Sequence, residues 1–204
     1  MGRVSDNRNK LMDAVLELIW TGSYGSTTID HICDKAGVRK GSFYYYFDSK
    51  ADLALAAIEV QWQTVRAECD SIFSPTVEPL QRLRGYFEFG YNFQRKMQQK
   101  YGCVLGCPLF ALGAEVCTQE RNLQLKIQEI LGYKLRYLET AIRDAQAAGL
   151  IEAADPASKA RMIQAYYEGL LTQARIQNDV EVLHEMVPGA FAILGVKSRE
   201  MAQA

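Results

Sequence analysis

At 204 residues, with a formal net charge of −1 from 23 Lys+Arg against 24 Asp+Glu and 49% hydrophobic side chains, the chain has a globular composition and is too apolar to stay disordered. The balance excludes binding to polyanions through bulk charge, so any nucleic-acid role has to come from local patterning. Five cysteines, and a start Met1-Gly2-Arg3-Val4-Ser5-Asp6 without an apolar run, point to a reducing, cytoplasmic location, and no segment approaches the roughly 18 apolar residues of a membrane span.

Pro is scarce and apolar residues recur at three- and four-residue spacing nearly throughout, so the expected fold is all-α. Residues 8 to 20 place Leu11, Val15, Leu18 and Ile19 on one face and Asp13 and Glu17 on another, with Gly22 and Gly25 ending the helix. In Ser26-Thr27-Thr28-Ile29-Asp30, Thr27 is placed to cap a second helix and Asp30 to complete a capping box. Ile29, Ile32, Cys33 and Ala36 give that helix one buried face, and Gly37 suits a left-handed terminator.

Arg39 to Phe47 forms a third short helix by periodicity, with Phe43 and Phe47 inward and Arg39, Lys40, Ser42, Tyr45 and Tyr46 outward. Ser49-Lys50-Ala51-Asp52 repeats the capping pattern and opens a longer helix. Two short helices joined at a Gly turn make a helix-turn-helix, whose second helix is the right size for a major groove. Arg39 and Lys40 can meet phosphates or guanine edges, Gly41 and Ser42 allow close backbone approach, and the tyrosine hydroxyls and Lys50 can donate to phosphates. Three consecutive tyrosines on a helix cannot all be core, because i and i+1 do not share a face.

The run from Thr27-Thr28-Ile29 through Ala36-Gly37-Val38 and Arg39-Lys40-Gly41-Ser42-Phe43-Tyr44-Tyr45-Tyr46-Phe47 to Lys50-Ala51-Asp52-Leu53 resembles the DNA-binding domain of the TetR family of bacterial regulators. The resemblance implies a homodimer on a palindromic double-stranded operator, with a small-molecule effector held in the remaining helices. It puts Thr28 near a phosphate, Lys40, Gly41, Ser42 and Tyr45 near bases, and Tyr44, Tyr46 and Lys50 on the DNA backbone. Arg39 stands where the family often has a capping Ser, so a cap is lost and a cation gained. The N-terminal cations Arg3, Arg8 and Lys10 could form either a DNA-contacting arm or a solubilising tail.

The expected organisation is a helix-turn-helix domain over residues 1–50 and a larger helical effector-binding and dimerisation domain over 51–204. The helix from Ser49 carries Leu53, Ala57, Val60 and Val65 toward Cys69, and Ser74-Pro75 and Glu78-Pro79 punctuate the chain. The next helix carries Leu80, Leu83, Phe87 and Tyr91, with Phe89 and Phe93 around the edge. Trp62, Phe89, Phe93, Cys107 and Tyr166 are the candidate effector-pocket residues. Gly102 and Gly106 break the helix and Cys107-Pro108 restarts it, which puts Cys107 at an N-cap where the helix dipole favours a thiolate.

The run from Gly106 to Cys117 also resembles a helix of TetR-type repressors that sense quinones, aldehydes and other electrophiles. Cys107 therefore has two readings, a sensor and a buried structural thiol. Residues 121–148 keep an apolar stripe closed by Gly149, and Asp155-Pro156 opens a helix whose stripe is Ala160, Ile163, Tyr167, Leu170, Leu171 and Ala174. Helices near 121–148 and 156–175 are the expected dimer interface. A last helix spans roughly 180 to 194, and the tail from Lys197 looks loose.

Alternatives to a DNA-binding regulator are a cysteine enzyme and a helical interaction module. No His stands in a motif with a cysteine and no paired-carboxylate or Ser/His/Asp constellation appears, so the chain is expected not to be an enzyme. Cys103 and Cys107 without a second pair are a weak zinc pattern, and nothing points to a metal or cofactor.

Overall fold

The computed structural model describes residues 2–152 and 155–196, with side chains from Asp6 onward. Among the described residues the chain is helical without strands: α1 (Gly2–Thr21), α2 (Ile29–Ala36), α3 (Lys40–Tyr46), α4 (Lys50–Ile72), α5 (Pro79–Tyr101), α6 (Pro108–Val116), α7 (Arg121–Ala147), α8 (Pro156–Gln177) and α9 (Met186–Leu194), with a 3₁₀ turn over Val180–Glu185. The Lys197 tail lies outside the described residues.

The helix ends follow local chemistry. Thr28, not Thr27, caps α2: its Oγ1 accepts the His31 N–H at 3.1 Å, and His31 Nδ1 accepts the Thr28 N–H in place of the expected Asp30. Thr27 is buried and its hydroxyl donates to the Ser23 carbonyl at 2.7 Å, which removes it from the cap. Gly37 ends α2 at φ +63, with the Gly37 and Val38 N–H groups on the Asp34 and Cys33 carbonyls, the two bonds of a left-handed terminator. Ser49 accepts the Asp52 N–H at 3.1 Å and donates to the Asp52 carboxylate at 2.8 Å. Asp155 accepts the N–H groups of Ala157 and Ser158 ahead of Pro156, as the sequence predicts.

Two expectations change. α1 reaches back to Gly2, so the backbone of residues 2–10 is helical, with a Lys10–Asp6 ion pair one turn apart; the Arg3 side chain lies outside the described residues. The last helix splits into the 3₁₀ turn and α9, because Pro188 has no N–H for an interior helix bond but fits the first turn of a helix that starts at Met186.

The chain divides into two compact units, residues 1–65 with 108–130 and residues 66–107 with 131–204. The boundary expected at residue 50 lies inside the first unit. In that unit α1, α2 and α3 pack on one another, and Leu11, Val15, Ile32, Phe43 and Leu53 are fully buried, while Val60, expected inward, is half exposed.

In the second unit α5, α8, α9 and the 3₁₀ turn pack together. The buried edge of α5 is Leu83, Tyr86, Phe87, Gly90 and Gln94. Gly90 has a packing reason, since a Cβ there would collide with the Tyr167 hydroxyl. Arg82, 5% exposed, ties the preceding loop to α7: it donates to the Val77 and Pro75 carbonyls and to Asp144. Gln94 pins the loop before α6 by exchanging two 2.9 Å bonds with Gly106.

Candidate nucleic-acid interface

The surface of α3 follows from what its other face buries. Phe43 is 0% exposed and Phe47 6%, so the seven-residue helix has one fixed orientation and Tyr45, two residues from Phe43, is turned out to 75% exposure. Tyr44 stands edge-on to Phe43 and is also exposed, and Tyr45 and Tyr46 meet edge-to-face at 4.8 Å. Arg39 is the N-cap of α3 and makes no side-chain cap bond, as its replacement of a capping residue implies.

Lys40 pairs with Asp30 at 2.7 Å across the turn, and that hydrogen bond holds its ammonium above the usual lysine range. The pair is solvent-exposed, so it costs little to exchange for a phosphate. Gly41 has no heavy atom within 4 Å of where a Cβ would stand, so nothing in the protein requires glycine there. A larger side chain has room there within the protein.

Lys50 is placed differently from the expectation. Its ammonium donates to the Tyr24 carbonyl at 2.7 Å and the Thr27 carbonyl at 2.8 Å and lies 4.0 Å from the centre of the Tyr24 ring. Burial lowers its pKa, against Glu115 and Glu120. The side chain fastens the start of α4 to the α1–α2 turn.

The same turn is gripped from α6. The Glu115 carboxylate accepts the N–H groups of Tyr24 at 2.9 Å and Gly25 at 2.6 Å, and the Tyr24 hydroxyl donates to Glu120 at 3.0 Å. Burial first, then the Glu120 bond, raise the Tyr24 pKa. Nothing in the sequence singles out Glu115, because a carboxylate ninety residues from its amides leaves no periodic trace.

The five candidate effector residues fall in both units. Trp62 is buried in the first unit and the other four belong to the second. Phe89 and Phe93 stack on each other at 6.3 Å, half-buried beside the buried edge of α5. The Tyr166 hydroxyl donates to the Glu185 carbonyl at 2.7 Å, against Gly189, where a Cβ would not fit. Among the described residues of the second unit, the groove of about 300 Å³ beside Phe73 and Tyr137 and that of about 490 Å³ beside Arg84 and Phe191 are lined by none of them.

Cys107 instead joins a polar cluster that the sequence reading missed. Gln164 and Glu168, one turn apart on α8, are 6% and 2% exposed, and the Gln164 amide donates to Glu168 Oε1 at 2.8 Å. Burial raises the Glu168 pKa, opposed by Lys134 and by hydrogen bonds from Cys107 and Gln164. Burial works against the Lys134 ammonium, but Cys107, Tyr167, Glu168 and Cys69 outweigh it and leave its pKa raised. Tyr86 and Tyr167, with ring centres 5.1 Å apart, are both held well above the usual phenol range by burial.

The signal was available: Gln164 and Glu168 interrupt the stripe Ala160, Ile163, Tyr167, Leu171, and Lys134 interrupts Ile130 to Leu138. Cys33 and Cys69 are buried, with burial pushing Cys69 up to about 11, and Cys117 is exposed. Among the described residues no group of three metal-ligating side chains occurs.

Residues 11–57 match the bacterial regulatory proteins of the tetR family, and residues 79–189 match the tetracyclin repressor-like C-terminal domain. The chain belongs to the TetR family of bacterial transcriptional regulators. It is a DNA-binding regulator of that family and not an enzyme. The transcriptional regulator AcuR of Cereibacter sphaeroides is 30% identical over 176 residues, covering 85% of this chain and 78% of that one. A regulatory protein TetR from Rhodobacter sphaeroides superposes with a TM-score of 0.78 at 29% identity, covering 89% of this chain and 95% of the other. The reduced form of Escherichia coli NemR shares the fold, with a TM-score of 0.79 at 21% identity over 94% of this chain and all of that one. This TetR-family chain has no described helix long and apolar enough to cross a membrane.

Proposed function

We propose that this TetR-family chain is a repressor that binds a two-fold-symmetric operator as a homodimer and is released by a small-molecule effector. The observation that carries the reading is the outward face of α3, where Tyr45 is 75% exposed and Gly41 is unhindered while Phe43 is fully buried behind them. In this reading Lys40, Gly41, Ser42 and Tyr45 approach base edges, and Arg39, Tyr44, Tyr46 and the α2 N-terminus at Thr28 meet phosphates. Lys50 acts through position, holding the turn that orients α2. Among the named relatives, KstR2 of Mycobacterium tuberculosis and NemR of Escherichia coli are repressors, and FasR of Mycolicibacterium smegmatis is an activator.

The dimer surface we propose is centred on α8. Its outward side carries Met162, Ala165, Gly169 and Ile176, all exposed, with Ile176 at 78%. Four exposed small or apolar residues at helical spacing suit a close two-fold contact. The outward side of α7 carries Gln128, Glu129, Arg136 and Arg143 around one exposed apolar residue, Leu125, a mostly polar face, so the half of the expected interface placed on 121–148 contributes less.

Release follows from chain continuity. Cys107 of the polar cluster is bonded directly to Pro108 of α6, and α6 holds the α1–α2 turn through Glu115. An effector weakens operator binding only as far as it prefers a conformation in which this hold is altered.

Footprinting on the intergenic DNA flanking the gene tests the reading. It predicts two protected half-sites with inverted symmetry, centred about one helical turn or a multiple of it apart. Protection of a single asymmetric site, or none at moderate salt, would contradict it.

A further inference from the structure

Three polar groups meet in the interior of the second unit: Gln164 Oε1 and Glu168 Oε2, which have no hydrogen-bond partner, and the Tyr86 hydroxyl, whose polar neighbour is the Gln164 side chain. Their residues are 6%, 2% and 3% exposed. A buried polar atom left unpaired is costly, and a native protein rarely leaves several in one place without a use for them. We propose that these atoms are the recognition groups of a binding site for a small uncharged molecule carrying two O–H donors on neighbouring carbons, a vicinal diol. The inference rests on the effector-released reading above and names the chemistry of that effector.

The donor set decides the class. Glu168 Oε1 takes the Gln164 amide N–H at 2.8 Å, which fixes the amide so that Oε1 of Gln164 is the atom left over. Two of the three groups are therefore unpaired acceptors one helical turn apart, and the third, the Tyr86 hydroxyl beside Gln164, can either donate or accept. A carboxylate or phosphate would bring oxygen lone pairs against both acceptors. An ammonium ligand would repeat a charge that Lys134 already supplies beside Glu168. A hydrocarbon would bury both acceptors unsatisfied. A diol gives one O–H to each acceptor and offers its own oxygen to Tyr86. The rings of Tyr86, Tyr167 and Phe87, with Tyr167 at 5.1 Å and 6.0 Å from the other two, supply apolar surface in the same interior.

A graded ligand series tests this without changing the protein. Cyclohexane-1,2-diol, its monomethyl ether and its dimethyl ether share one skeleton and carry two, one and no O–H donors. Calorimetric titration of the full-length protein is expected to show affinity falling about tenfold or more with each donor removed, because a site built for a donor rejects the analogue that lacks it. The double variant Q164M/E168M is expected to lose that ranking and to bind the dimethyl ether as well as the diol. The thermal transition of the variant, read in parallel, shows that it is folded.

Equal affinity across the series, no binding of the diol, or preference for the dimethyl ether by the unaltered protein would each overturn the proposal. Gel shift of the flanking DNA in the same samples separates the two claims. A protein that binds the diol with the expected ranking but never shifts DNA contradicts the repressor reading and leaves the site standing. One that shifts DNA but ignores the series leaves the repressor reading and removes the site.

Discussion

On α3 and in the interior of the second unit, the chain leaves polar groups without partners in opposite settings. Tyr45 stands in solvent at 75% exposure, where water satisfies its hydroxyl and the lack of a protein partner costs nothing. Glu168 at 2% exposure has no such recourse, and an unpaired oxygen there costs on the order of 1–3 kcal/mol. An unpartnered group is therefore weak evidence of function on a surface and strong evidence in a core. On the surface the informative features are residue type and shape: a bulky aromatic where a helix could have carried lysine, and a glycine with empty space around it.

The largest expected effect is on the exposed side. Replacing Lys40 and Tyr45 together with alanine should weaken operator binding about a hundredfold, because each base or phosphate contact contributes on the order of 1–3 kcal/mol. The midpoint of thermal unfolding should stay within about a degree of the unaltered protein, since neither side chain is buried. A variant that also melted early would mean that these residues hold the fold, and the contrast would dissolve.

The buried side should respond in the reverse sense. Converting Gln164 and Glu168 to leucine and Lys134 to methionine together removes a buried hydrogen bond, two unpaired oxygens and the charge that Glu168 balances, and such joint replacements are commonly neutral or stabilising by ~1–4 kcal/mol. Urea unfolding should give a midpoint equal to or above that of the unaltered chain. A clear loss would show that the cluster is a stabilising network, satisfied in solution by water.

A smaller effect separates a third kind of polar group, the fully paired one. Glu115→Ala strands the Tyr24 and Gly25 amides and should cost about 1–2 kcal/mol, with faster hydrogen exchange confined to those amides and their neighbours. Unchanged exchange there would contradict the grip of α6 on the α1–α2 turn.

The helix-turn-helix was legible because its determinants are local. Gly37 ends α2 where a left-handed residue is needed, and Phe43 and Phe47 set the buried side of α3 within one turn. Where two neighbouring residues could do one job, the sequence misplaced it: Thr27 and Thr28 are equivalent on paper, and only the Ser23 carbonyl, which occupies Thr27, decides between them. Trp62, Phe89, Phe93 and Tyr166 are aromatic, a property that core and pocket share, and Phe89 and Phe93 stack on each other. Lys134, Gln164 and Glu168 were visible as interruptions of apolar stripes, but their convergence with Tyr86 depends on how α5, α7 and α8 pack, and no periodicity encodes that. Lys50 was read as a phosphate donor because the carbonyls it binds are 23 and 26 residues away.

The central claim, that the outward face of α3 reads DNA, is tested most directly by the affinity of Gly41→Ala for the flanking DNA. Alanine has room in the protein and is the better helix former by roughly 0.5–1 kcal/mol, so the variant should unfold at the same or a higher urea concentration. Its added methyl group lies on the outward side that the proposal sets against DNA, and binding is expected to fall about tenfold or more. Binding equal to that of the unaltered chain, at equal or greater stability, would contradict the placement of α3 against DNA.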